Sequence, residues 1–422
     1  MTSFAGPDGP FHAEVTVPGD KSLSHRALVL AAMASGRSVV RGTGPGADVA
    51  STRAALERLG ARIDPDTVES PGIGRWRPLT DPIDAGNSAT TMRLLTGALA
   101  ARPFRSVIVG DRSLMGRPMR RLVGPLGILG ASVTVADAGT PPVVIDGRAL
   151  RGAAVSIPVA SAQVRTAVAL AALQAEGTTT IDSPPGFRDH TERMLARLGL
   201  GSRTSDTVFR VAPGPIRPFR AVLPGDTSSA SFLWAAAALS PGSSVRVTSV
   251  SLNPGRTGFL DVLASMGARV EVSPMAEMLG DPVGDVVVVG GRLHGTTIQG
   301  LHAVRALDEL PLVAVLAAFA DGPTTVSDAG ELRTKESDRI ASTVAMIRAL
   351  GGRAEPSTSG FVVEGTGLTG GVVSPAGDHR IAMAAAVAAT RGGRVVVDGF
   401  EAASVSWPGF ERVLEDTWSS SP

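Results

Sequence analysis

The sequence contains no cysteine and no tyrosine. The first absence excludes disulfides, thiolate metal sites and a cysteine nucleophile, and it suits a cytoplasmic protein. Aromatic residues make up only 4% of the chain, too few for the platforms on which single-stranded nucleic acid stacks. Neither charge is in excess: Lys and Arg number 40, Asp and Glu 39, and the formal net charge is +1. That balance gives no reason to expect a nucleic-acid partner, so any basic site is local. Long apolar runs are missing too. The stretch FLWAAAAL at 232–239 is far too short to span a bilayer. The opening MTSFAGPDGPFHAEVTVPGDK has no apolar core of signal-peptide length. The expectation is a cytoplasmic chain with no membrane partner.

What the chain has in quantity is glycine, 50 residues, and proline, 30 residues. Many turns and short elements follow. A length of 422 residues exceeds one ordinary core, and two domains are expected. The elements repeat. A polar loop runs into an Ala-rich apolar helix at 18–34 (PGDKSLSHRALVLAAMA), 85–100 (AGNSATTMRLLTGALA) and 158–173 (PVASAQVRTAVALAAL). The same arrangement returns at 224–239 (PGDTSSASFLWAAAAL), 306–320 (ALDELPLVAVLAAFA) and 375–390 (PAGDHRIAMAAAVAAT). Each copy continues with a β-branched strand and a second helix. That helix ends in most copies at a glycine, as in LERLGARI, LASMGARV and IRALGGR. Helices apolar nearly all round pack inside, and small side chains let their backbones approach. The reading is α/β: buried helices wrapped by short strands and outer helices, three copies per domain. The words VPGDKS and LPGDTSS mark the crossings. They divide the chain into 1–18 plus 226–422, and 19–225.

The polar loops sit at helix starts, where free N–H groups and a partial positive charge favour anions. Lys21 and Ser22 precede the first helix and Arg26 lies one turn in. Asn87, Ser88 and Thr90 offer uncharged donors, as do Ser161 and Gln163. Arg117 stands before Pro118 in the arginine-rich GDRSLMGRPMRR. Arg188, Asp189 and His190 follow the third strand, and His190 alone reads as a structural or surface histidine. Asp308 and Glu309 interrupt an apolar run, where an acid needs a basic partner, and so paired it can act as a general base. Lys335 and Arg339, four apart, share a face if helical, with Glu336 and Asp338 to orient them or move protons. Asp378 is expected to cap the last inner helix. Arg380, alone at that helix's positive end, makes sense with an anion beside it.

These strings are similar to one family. VPGDKSLSHRAL, GNSATTMRLL, GRPMRRL, SAQVRTA, FRDHTE, PGDTSS, NPGRTG, LDELP, ELRTKESDR and DHRIAMA stand in the order found in 5-enolpyruvylshikimate-3-phosphate synthases, from 17 to 380. The wording RPM, SAQ and KESDR resembles the second, glyphosate-insensitive class. The resemblance implies a two-domain inside-out α/β barrel of six βαβαββ units with the active site in the cleft between the domains. It also implies a monomer that needs no metal or organic cofactor, and transfer of the enolpyruvyl group of phosphoenolpyruvate to the 5-hydroxyl of shikimate 3-phosphate.

By motif, Lys21, Ser22 and Arg26 would serve both substrates. Ser161, Ala162, Gln163, Arg188, Asp308 and Lys335 would hold shikimate 3-phosphate. Asn87, Ala89, Arg117, Arg339 and Arg380 would line the phosphoenolpyruvate site. Asp308 is the expected base, with Lys21 and Glu336 the candidates for proton transfer at C3. Two departures matter. Ala89 stands where the sensitive form has Gly, and Leu94 where it has Pro. The segment ASVSWPGF lacks the lysine that many members carry there, which throws more weight on Arg117, Arg339 and Arg380. The alternatives are UDP-N-acetylglucosamine enolpyruvyltransferase, whose usual loop cysteine is missing, and a non-catalytic anion-binding paralogue.

Overall fold

The computed structural model describes residues 1–158, 160–186 and 188–420. Phe187, which opens the FRDHTE string, lies outside the described residues. The chain forms two compact units. One, the split unit, comprises Met1–Pro18, Gly225–Ala276 and Pro282–Pro422. The other, the 19–224 unit, comprises Gly19–Pro224 with Glu277–Asp281. No sequence signal marks that last segment as part of this unit. Each unit has its own apolar core.

The 19–224 unit is built on three inner helices: α1 (Lys21–Met33), α2 (Ala89–Leu99) and α3 (Ala162–Ala172). The split unit has α4 (Thr227–Leu239), α5 (Leu310–Ala317) and α6 (His379–Ala388). Every residue of α4 is buried, so this helix has no polar face to give to solvent. Small residues make such interiors possible. A Cβ added at Gly97 of α2 would stand 2.0 Å from the Ala167 carbonyl oxygen of α3. Only glycine permits that approach.

The six sheets of the described residues repeat one pattern. An edge strand runs parallel to its neighbour, and that neighbour pairs antiparallel with the next strand. In one sheet Ala154–Ser156 is parallel to Thr179–Asp182, which is antiparallel to Val208–Val211. Chain order around α3 is strand, α3, strand, helix His190–Arg197, strand, strand, the βαβαββ unit. Sheets at the crossings borrow strands from far along the chain. Arg220–Val222 runs parallel to Val39–Arg41 in the 19–224 unit, and His12–Val15 runs parallel to Ser244–Val247 in the split unit. The glycine stops work as read. Gly60, Gly130, Gly199, Gly267 and Gly351 all have positive φ, which ends the second helix of five copies without strain. Among the described residues no helix is long and apolar enough to cross a membrane.

Candidate active site

In the 19–224 unit the polar loops lie at the N-termini of α1, α2 and α3. Lys21 opens α1, and its Nζ stands 3.0 Å from Asp48 Oδ2. The cap of that helix is Asp20, which is fully buried and accepts from the Leu23 N–H at 2.8 Å. Arg26 is buried. It donates from Nε to Thr191 Oγ1 (2.8 Å), from Nη1 to the Ser22 carbonyl (2.9 Å) and from Nη2 to Thr166 Oγ1 (3.0 Å). Burial pushes its guanidinium down to about 10. Arg26 thus holds Ser22 and α3 together and presents no open edge.

Ser88 and Ser161, read as donors, act as caps. Ser88 Oγ accepts from the Thr91 N–H at 3.1 Å and Ser161 Oγ from the Val164 N–H at 3.5 Å. Ala89 is the first residue of α2 and is buried, and Asn87 is half-buried just before it. Gln163 donates from Nε2 to Thr90 Oγ1 at 2.7 Å and accepts from Arg93, which also donates to the Pro118 carbonyl at 3.2 Å. Arg93 therefore ties the SAQ loop to the loop of Arg117. Arg117 and Arg188 are half-buried, Ala162 opens α3, and the charge of Arg188 reaches Arg26. His190 is fully buried, with Nδ1 2.9 Å from Asp281 Oδ2, in keeping with a structural role.

A buried hydroxyl chain runs behind these loops. His25 Nδ1 lies 2.6 Å from Thr52 Oγ1, Thr52 Oγ1 lies 2.6 Å from Thr91 Oγ1, and Thr91 donates to Ser88 Oγ at 2.7 Å. Burial lowers the His25 imidazole from 6.5 to about 3. An unfolded chain takes up this proton as pH falls through 6.5, whereas the folded chain takes it up only near 3. The associated stability is full above 6.5 and is lost as pH falls below it. Urea midpoints of wild type are expected to drop more steeply than those of His25→Gln between pH 6.5 and pH 3. Parallel curves would contradict this.

In the split unit the charges interlock. Asp308 Oδ1 lies 3.5 Å from Lys335 Nζ and 3.2 Å from Arg339 Nη1. Arg339 also donates from Nη2 to Glu336 Oε2 (2.6 Å) and from Nε to Asp378 Oδ2 (2.8 Å), and its side chain is 2% exposed. Burial opposes its charge, yet Glu336, Asp378 and Asp308 together raise its basicity above the ordinary arginine value. Burial likewise works against the Asp378 anion, but Arg339 and His379 outweigh it and hold the carboxyl below its usual range. Asp378 also caps α6, accepting from the Arg380 N–H at 2.8 Å.

Several expectations need correction here. Residues 335–339 do not form one helical face. A 3-10 turn ends at Thr334, and the helix Arg339–Ala349 starts anew with Asp338 as its cap. Asp338 accepts from the Ile340 and Ala341 N–H groups and pairs with Arg333 at 2.7 Å, so it does not orient Lys335 or Arg339. Asp308 and Glu309 lie in a 3-10 turn leading into α5 and make no side-chain cap bond to it. Arg380 is not alone. Its Nη1 donates to Glu309 Oε1 at 2.9 Å and to the Asp308 carbonyl at 3.3 Å. Among the described residues its Nε and Nη2 make no hydrogen bond, which leaves one edge of the guanidinium for an oxyanion.

In the structure Lys21, Lys335, Arg339 and Arg380 each have a carboxylate partner. Asp48 and Arg93 belong to these clusters without any sequence signal that marks them. Asp48 reads as an ordinary acid in the first turn of a helix.

A sequence model described as EPSP synthase (3-phosphoshikimate 1-carboxyvinyltransferase) matches residues 6–414. A 3-phosphoshikimate 1-carboxyvinyltransferase of Roseiflexus castenholzii is 45% identical over 413 residues, 95% of this chain and 96% of that protein. One of Anaeromyxobacter sp. (strain Fw109-5) is 45% identical over 416 residues, 96% of each. The solved EPSP synthase of Acinetobacter baumannii superposes with a TM-score of 0.87 at 35% identity, covering 98% of this chain and 97% of that one. The enolpyruvyl transferase NikO of Streptomyces tendae, at 18% identity and a TM-score of 0.77, shares the fold. By sequence along nearly its whole length and by its fold, the chain belongs to the EPSP synthase family.

Proposed function

We propose that this chain moves the enolpyruvyl group of phosphoenolpyruvate onto the 5-hydroxyl of shikimate 3-phosphate and releases inorganic phosphate. The match across residues 6–414 carries the reaction. The substrates are two polyanions that repel each other, and cations gather and order them.

In this reading Asp308 takes the proton of the 5-hydroxyl as its oxygen bonds to C2 of phosphoenolpyruvate. C3 gains a proton from Lys21 or Glu336. The tetrahedral adduct then loses phosphate from C2 and a proton from C3, which restores the double bond. Ser22, Ser161, Ala162, Gln163, Arg188 and Lys335 hold shikimate 3-phosphate. Asn87, Ala89, Arg117, Arg339 and Arg380 hold phosphoenolpyruvate, and Arg26 keeps Ser22 in place. Arg380 supports its role through its open Nε–Nη2 edge. Arg339 has every nitrogen on a carboxylate, so in this reading substrate binding exchanges one of those contacts for an anion of the substrate. Cations clustered around the adduct supply its electrostatic stabilisation. The chain acts as a monomer in the cytoplasm. Mass spectrometry of the product tests the reaction: shikimate 3-phosphate should gain one carboxyvinyl group, and an unchanged acceptor would contradict it.

The glyphosate-insensitive class is a further part of this proposal, and it rests on Ala89. Its methyl sits at the buried start of α2, where it would crowd an inhibitor slightly longer than phosphoenolpyruvate. Wild type should resist glyphosate, and Ala89→Gly should bind it roughly tenfold or more tightly, a change of about 1.4 kcal/mol. Micromolar competitive inhibition of the wild type would contradict this.

A further inference from the structure

The strings NPGRTG and PGDTSS have no part in the roles assigned above, yet in the split unit they meet behind Arg380. Arg256, from NPGRTG, is 3% exposed. Its Nη2 donates to Asp226 Oδ1 at 2.7 Å and to Ser228 Oγ at 2.7 Å, and both partners come from PGDTSS. Asp226 also caps α4, accepting from the Ser228 N–H at 2.7 Å. Ser228 Oγ donates to Glu309 Oε1 at 2.5 Å, and that same oxygen accepts from Arg380 Nη1 at 2.9 Å. Four side chains of four motifs thus form one continuous buried chain, from Arg256 through Ser228 and Glu309 to Arg380. Nothing in sequence spacing links them: Ser228 and Glu309 lie 81 residues apart.

We propose that Glu309, backed by Ser228 and Arg256, is a positioning residue that sets the affinity for phosphoenolpyruvate by fixing the Arg380 guanidinium, without touching the substrate. The proposal rests on the reading of Arg380 as a phosphoenolpyruvate contact. The physical case has two parts. First, Arg380 stands in the first turn of α6, where the helix end disfavours a cation. A counter-charge is needed when no substrate is present, and Glu309 supplies it. Second, Glu309 and the Asp308 carbonyl both take Nη1, so the plane of the guanidinium is set and its Nε–Nη2 edge is turned to the remaining space. A fork held in one orientation loses less freedom on gripping an oxyanion than a free one. Glu309 is itself an anion close to where an anion binds. Ser228 and Arg256, hydrogen-bonded behind it, hold the carboxylate on Nη1 and offset its charge.

The test is a double-mutant cycle with steady-state kinetics for each substrate. Glu309→Ala is expected to raise KM for phosphoenolpyruvate roughly tenfold, the scale of one hydrogen bond to a charged group. KM for shikimate 3-phosphate and kcat should stay within about threefold. Glu309→Gln, which keeps an oxygen acceptor for Arg380 and Ser228, should recover most of the loss. Ser228→Ala should shift the same constant in the same direction, and it keeps the test open if Glu309→Ala does not fold. In an Arg380→Ala background the effect of Glu309→Ala, or of Ser228→Ala, should vanish. If it persists in full there, or if both KM values rise together, the positioning role is wrong. If Arg380→Ala by itself leaves KM for phosphoenolpyruvate unchanged, the assignment of Arg380 is what fails.

Discussion

Replacing Asp308 with asparagine is expected to lower kcat by roughly 100- to 10,000-fold, the range for loss of a positioned general base. The change is nearly isosteric and keeps one oxygen for Lys335 and Arg339, so the fold should survive. What disappears is the group assigned to take the hydroxyl proton, along with a negative charge that two cations share at 3.5 Å and 3.2 Å. KM for phosphoenolpyruvate should move far less than kcat, because asparagine leaves both cations in place. Steady-state rates with each substrate varied in turn decide the matter. A kcat within a few-fold of wild type would reduce Asp308 to an anchor for Lys335 and Arg339. The proton would then have to leave to another group.

The second large effect is on stability. Arg165 and Glu192 form an ion pair with side chains 1% and 6% exposed. The arginine also donates to Ser183 Oγ and to the Thr207 carbonyl, 3.1 Å away. Glu192→Ala removes a carboxylate from a buried guanidinium, and breaking a buried pair in this way costs about 3–5 kcal/mol. Glu192→Gln, which keeps an oxygen acceptor for the guanidinium, should cost clearly less. Urea unfolding at neutral pH reads both. The pair lies under the start of α3, so activity should fall with stability in the alanine variant. A loss below about 1 kcal/mol would show that water or another carboxylate reaches Arg165 after the change.

Much of this architecture was legible because the signals are local. An Ala-rich run after a polar loop has no polar stripe, so it reads as an inner helix, and α4 is buried throughout. A glycine after the last apolar position reads as a stop, and the positive φ at Gly60 and Gly199 is its cause. Asp378 before an apolar run reads as a cap, and it is one. The partners of the charged groups were not legible, since the fold brings them from afar. Asp308 meets Arg339 across 31 residues, and Glu309 meets Arg380 across 71. No periodicity carries such distances, so the sequence does not say which partner each charge takes. At 335–339 two local rules conflicted. The four-residue spacing suggested one helical face, while Asp338 before IASTV is a helix-start signal, and the start signal prevailed.

The pairing also changes how the anionic substrates are best pictured. They do not enter a field of bare positive charge. In the proposed reading they meet cations already held by carboxylates, with Arg380 keeping one edge open and Arg339 none. This arrangement limits self-repulsion in a chain whose net charge is only +1, and it keeps each fork in place before substrate arrives.

The most direct measurement is phosphate release from phosphoenolpyruvate by the purified chain, with shikimate 3-phosphate and with UDP-N-acetylglucosamine as alternative acceptors. The account predicts steady release with shikimate 3-phosphate, none above background with the nucleotide sugar, and severe loss in both Lys21→Ala and Arg380→Ala, one from each unit. Release that depends on the nucleotide sugar, or no release with either acceptor, would contradict it.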